Sequence, residues 1–62
     1  MANIKALRKA AGMTQEQLAE RLGVGRTTVT MWETSDTLPQ TRMLIALADA
    51  LGCTVEDLLK PA

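Results

Sequence analysis

The chain has 62 residues, 47% of them apolar, and equal numbers of basic and acidic side chains. That size allows one small domain, and that apolar content suits a packed core rather than a disordered chain. No apolar run is long enough to span a membrane or act as a signal peptide, and a single cysteine, Cys53, excludes an internal disulfide. A cytoplasmic protein is the simple expectation, and Met1 suggests a natural start. With one Trp and no Phe or Tyr, the core must be aliphatic.

Apolar residues recur at helical spacing from the start. Ile4, Leu7 and Ala11 follow i, i+3, i+7, and Gly12 is placed to cap the first helix. Thr14 and Gln17 form a T-x-x-Q capping box that opens a second helix. Leu18, Ala19 and Leu22 make its inner face, and Gly23 ends it. Gly25 takes the N-cap of a third helix, with Val29 and Trp32 facing inward. Thr34 to Pro39 reads as a loop. A fourth helix, about Gln40 to Leu51, buries Leu44, Leu47, Ala48 and Leu51, and Gly52 caps it. Thr54 opens a fifth, with Asp57 at N3 and Val55, Leu58 and Leu59 as apolar contacts, and Pro61 stops it. Nothing alternates with period two. The reading is an all-α domain of five short helices.

The run "LAERLGVGRTTVTMWE" carries the functional information. Two short helices meet at a tight glycine turn, the signature of a helix-turn-helix, here spanning about residues 15–34. Leu18, Leu22, Val24, Val29 and Trp32 form a shared apolar seam, and small Ala19 suits a close crossing. The third helix carries a second stripe, Arg26, Thr27, Thr30, Met31 and Thr34, opposite Val29 and Trp32. Apart from Arg26 it is small hydroxyls and one thioether. Such side chains suit the floor of the DNA major groove, where base edges differ in donors, acceptors and methyl groups. Charge is uneven along the chain. Up to Glu33, five bases face three acids; beyond it, two bases face four acids. A polyanion would meet the N-terminal half, although a solvated surface explains the asymmetry about as well.

The run "TQEQLAERLGVGRTTVTMWE", with "IKALRKAAGMTQEQLA" before it and "LIALADALGCTVEDLL" after it, resembles the helix-turn-helix of the phage repressor and Cro (XRE) family over nearly the whole chain. The resemblance implies a lambda-repressor-like five-helix domain that binds a palindromic operator in double-stranded DNA as a homodimer. Carried over residue by residue, it implies base contacts from Arg26, Thr27 and Met31, with Thr28 and Thr30 as contributors. It implies phosphate contacts from Gln15, which also supports base-reading side chains, and from Thr34. Arg8 and Glu33 match a paired arginine and glutamate that tie the first helix to the end of the third. Lys5 and Arg8 complete the candidate DNA-backbone contacts, with a solvated face as the equal alternative for Lys5 and Lys9. Dimer contacts are expected from the end of the fourth helix, the fifth helix and the loop near Leu38.

Three positions depart from the family pattern. The loop "TSDTLP" lacks its usual bases and carries Asp36, Met31 replaces a polar residue, and Gly25 replaces a Ser or Thr cap. The acidic loop and Met31 leave room for a second function, a protein-interaction module such as an antitoxin or adaptor gripping a protein partner. An enzyme is excluded on residue chemistry: there is no His, Cys53 sits at a core position, and no phosphate loop or metal-ligand cluster exists. No cofactor or metal is expected.

Overall fold

The computed structural model describes residues 3–35 and 38–60. Five helices follow one another: α1 (Ile4–Ala10), α2 (Gln15–Leu22), α3 (Arg26–Thr34), α4 (Thr41–Leu51) and α5 (Val55–Leu59). The described residues contain no strand. Asp36 and Thr37 of the expected loop, and Pro61, expected to stop α5, lie outside the described residues.

Local chemistry explains the helix starts. Thr14 Oγ1 accepts from the Gln17 amide at 3.1 Å, and the Thr14 amide donates to Gln17 Oε1 at 2.9 Å. Thr54 and Asp57 repeat the device at α5, at 3.0 and 3.2 Å. Each box satisfies two backbone donors that a helix start leaves orphaned. α3 and α4 start at Gly25 and Gln40 without a side-chain cap.

The "GVG" turn divides its tasks between the two glycines. Gly23 has φ +71°, and around it the Val24 amide donates to Ala19 O at 3.0 Å and the Gly23 amide to Glu20 O at 3.2 Å. This is a Schellman closure, which places its glycine in the left-handed region. Space is open where a Cβ would stand, so alanine would be penalised by backbone strain alone, roughly 1–2 kcal/mol. Gly25 is different: its φ of −77° is ordinary and any residue can adopt it. Val24 between them packs against the core.

Ile4, Leu18, Ala19, Val29, Trp32, Leu44, Leu47, Ala48, Leu51 and Leu58 form one core cluster drawn from all five helices. α2 packs on both α3 and α4, α1 on α3, and α5 on α4. Ala19 is buried in this cluster, 4% exposed, and its small side chain suits a close helix crossing. Each large aliphatic in this cluster contributes about 1.5–3 kcal/mol by burial. The Asn3 amide donates to Leu58 O at 2.7 Å and draws the two ends of the described chain together.

Three sequence expectations need correction. Ala11 is exposed and forms the C-cap of α1 rather than part of its inner face. The helix ends at Ala10, so the i+7 position turns out to solvent. Leu59 is 48% exposed, because the five-residue α5 has a single inward side, held by Leu58. Thr34 belongs to α3, not the loop. Cys53 is half-buried against the core. Burial, with the charge of Asp57, pushes its thiol above the ordinary 9.0, which favours the protonated form. Among the described residues no helix is long and apolar enough to cross a membrane.

Candidate nucleic-acid interface

α3 is pinned on its inner side by Val29, fully buried, and Trp32, 8% exposed. Its opposite side carries Arg26, Thr27 and Thr34, all exposed, with Met31 half-exposed and Thr30 partly covered. Thr28 lies about 200° round the helix from Arg26 at 100° per residue. It is half-buried at the edge of the core side, away from the outward stripe.

Beneath the stripe lies a polar network joining three helices. Arg8 of α1 grips Glu33 of α3 with two bonds: Nε donates to Oε2 at 2.6 Å, and the Nη2 group to Oε1 at 3.2 Å. The remaining terminal nitrogen of Arg8 donates to Met13 O at 2.7 Å, in the α1–α2 turn. Side-chain exposure is 9% for Arg8 and 1% for Glu33, so the pair is buried. Burial opposes ionisation of Glu33. Hydrogen bonds from Arg8 and Gln15, with the positive charges of Arg8 and Lys5, outweigh it and hold the carboxyl below its ordinary 4.5. In this geometry Arg8, a candidate DNA-backbone contact, serves the buried pair. Its guanidinium faces inward, and every nitrogen of it already donates to a protein acceptor.

Gln15, the first residue of α2, connects the buried pair to the surface. Its Nε2 donates to Glu33 Oε1 at 2.9 Å. Its Oε1 is then turned outward, where it accepts from Arg26 Nε at 3.4 Å and Thr30 Oγ1 at 3.3 Å. Arg26 also reaches Glu16 Oε1 at 3.3 Å, with both side chains more than 60% exposed. An ion pair that open contributes at most about 1 kcal/mol and exchanges readily for another acceptor. These groups border an open hollow of about 420 Å³, lined by Arg8, Met13, Thr14, Gln15, Glu16 and Arg26.

The threonines are arranged by the helix itself. The single Thr30 Oγ1 proton has two acceptors within reach, Arg26 O at 3.1 Å and Gln15 Oε1 at 3.3 Å, and Thr34 Oγ1 donates to Thr30 O at 2.8 Å. These acceptors occupy the hydroxyl protons. They leave oxygen lone pairs and methyl groups facing out. Thr27 makes no side-chain bond to a described residue, so its hydroxyl is free both to donate and to accept. Arg26 supplies fixed donors, the threonines acceptors and methyls, and Met31 a flexible apolar contact. Lys5 is exposed on α1, and its charge is felt at Glu33.

The sequence did not reveal the Arg26–Glu16 pair, the Gln15–Glu33 bond or the use of Met13 O. These contacts join residues brought together by helix packing, and no spacing rule within one helix marks them.

A family model described as helix-turn-helix matches residues 4–58. The repressor protein C2 of Salmonella phage P22 is 39% identical over 57 residues, which cover 92% of this chain and 26% of that protein. The transcriptional activator BcrR of Enterococcus faecalis is 36% identical over 56 residues, covering 90% of this chain and 28% of that protein. The chain therefore spans about a quarter of the length of these two relatives. Among solved structures, the P22 c2 repressor in complex with a synthetic operator superposes with a TM-score of 0.83 at 38% identity, over 92% of this chain and 86% of that one. A DNA-binding protein from Bacteroides fragilis, itself assigned only provisionally, gives 0.87 at 26% identity, over 94% of each chain. Five helices, the glycine turn of the α2–α3 pair and a match over residues 4–58 together place the chain in the XRE-type helix-turn-helix family, a family of DNA-binding transcriptional regulators rather than enzymes.

Proposed function

We propose that this domain binds double-stranded DNA as a homodimer, lays α3 in the major groove, and represses transcription by occluding a promoter. One observation carries the reading: Val29 and Trp32 hold α3 against the core while Arg26, Thr27, Thr30 and Met31 stand outward on one stripe. Arg26 reads guanine O6 and N7 or holds a phosphate. Thr27 and Thr30 offer hydroxyls to base edges, and Met31 meets a thymine methyl or a sugar. Thr28 contributes from the flank. Lys5 sets the register by holding a phosphate, joined by Gln15 through the second proton of its Nε2 and by Thr34 when its hydroxyl proton exchanges Thr30 O for a phosphate oxygen.

The likeness to the P22 repressor bound to operator supports this reading. Size supports it too. The domain measures 23 × 22 × 20 Å, so two abutting copies can set their α3 helices roughly 34 Å apart, one turn of DNA.

The test is selection from a random duplex pool with the purified protein, followed by sequencing. Enrichment of a palindrome with half-sites about one helical turn apart is expected. No enrichment at low salt would reject the reading and point to a protein partner, a role the acidic loop residue Asp36 would suit.

A further inference from the structure

α4 has a second face that the core does not use. Leu44, Leu47, Ala48 and Leu51 are its buried side. Arg42, Ile45, Ala46 and Asp49 follow i, i+3, i+4, i+7 on the opposite side. Ile45 is 60% exposed, Arg42 and Asp49 are exposed, and Ala46 is half-buried. Neither Arg42 nor Asp49 forms an ion pair with a described residue.

The order of these charges is opposite to what an isolated helix prefers. Arg42 stands in the first turn, beside the positive end of the helix dipole, and Asp49 in the last turn, beside the negative end. Each is unfavourable alone, and neither has an ion-pair partner among the described residues to offset it. A second copy of the same helix, running antiparallel, corrects both at once. We infer that the Arg42–Ile45–Ala46–Asp49 face of α4 pairs with the same face of a second copy across a twofold axis lying between Ile45 and Ala46. The inference deepens, and rests on, the homodimer of the proposed function.

The register follows from the symmetry of an isologous contact, in which residue i meets residue j and j meets i. With the axis between 45 and 46, Arg42 of one copy faces Asp49 of the other, twice. Ile45 faces Ala46, also twice, so a branched side chain fills the gap left by a methyl. Small Ala46 lets the helices approach to the 8–10 Å typical of packed pairs. The antiparallel arrangement also sets the two helix dipoles favourably against each other. One helix face is less than a standard interface, so the free dimer is weak, and a palindrome holding two copies side by side raises its effective concentration.

Charge reversal on the full chain tests this without DNA, by sedimentation equilibrium at low salt. Arg42→Asp and Asp49→Arg each replace two attractive pairs with two repulsive ones, and each weakens self-association by at least about tenfold. An equimolar mixture of the two variants restores association to within about threefold of the parent, as a heterodimer, because every pair is again attractive. Both positions are exposed, so helicity by circular dichroism stays at the parent level. Self-association unchanged by either reversal, or variants that stay folded but are not rescued by mixing, would overturn the inference. So would a parent chain that remains monomeric up to about 1 mM. If the random-pool selection still enriches a palindrome while mixing fails, the DNA reading stands and this interface falls. If mixing succeeds while selection enriches nothing, the interface stands and the DNA reading falls.

Discussion

Removing Arg8 probes the buried network most directly. In Arg8→Ala, Glu33 keeps a carboxylate that is 1% exposed, and it loses the bonds at 2.6 and 3.2 Å that neutralise it. Only Gln15 Nε2, at 2.9 Å, remains. Met13 O loses its 2.7 Å donor as well. Breaking one side of a buried pair costs about 3–5 kcal/mol, because the survivor is left charged and desolvated. A domain of this length has a total stability of roughly 3–9 kcal/mol at 0.05–0.15 kcal/mol per residue. The variant is therefore expected at the edge of unfolding, with its melting temperature down by at least about 12 °C. Urea titration followed by circular dichroism at pH 7 measures the loss. The double variant Arg8→Met, Glu33→Met removes both charges together and should stay within about 1 kcal/mol of the parent. A loss below about 1 kcal/mol for Arg8→Ala alone, the range of a surface pair, would refute the argument. Acid offers a second check. The folded pKa of Glu33 lies below its unfolded value. Its contribution is thus complete above about pH 4.5 and is lost as pH falls through the folded value. In the double variant, the fall in stability on acidification should be shallower than in the parent.

Arg26→Ala should leave folding unchanged, since the side chain is exposed and bound only by bonds of 3.3–3.4 Å. It should weaken operator binding by about 1–3 kcal/mol and relax preference at one base pair, as binding to single-base operator variants would report. Because "TSDTLP" supplies no base, the slope of log K against log salt should be shallower than about −6, and a steeper slope would contradict the small set of phosphate contacts. Gly25→Ser should raise stability by about 0.5–1 kcal/mol, because the N-cap φ is ordinary, space for a Cβ is open, and the α3 start gains a side-chain acceptor. Thr14→Ala should cost about 1 kcal/mol by dissolving the capping box of α2, read as a lower urea midpoint.

What the sequence determined by itself is whatever is settled within about five residues. The capping boxes at Thr14 and Thr54, the left-handed closure at Gly23, and the inward sides of α2, α3 and α4 all depend on near neighbours, and all were legible. The stripe on α3 was legible for the same reason, since helical periodicity opposes it to Val29 and Trp32. Short elements were less legible. Ala11 and Leu59 fit an apolar spacing, but one or two turns of helix do not carry that spacing far enough to fix their direction. Tertiary structure alone decided how the site is wired. Arg8 and Glu33 are 25 residues apart, and Gln15 and Glu33 are 18 apart. Family resemblance suggests the Arg8–Glu33 match, while Arg8 also stands among the candidate backbone contacts. Packing of α1 on α3 turned its guanidinium inward and made the pair buried. The same packing set Gln15 between Glu33 and Arg26. Which side chains share a buried site is fixed by where helices cross, and a crossing is a property of the whole core that no local run of residues encodes.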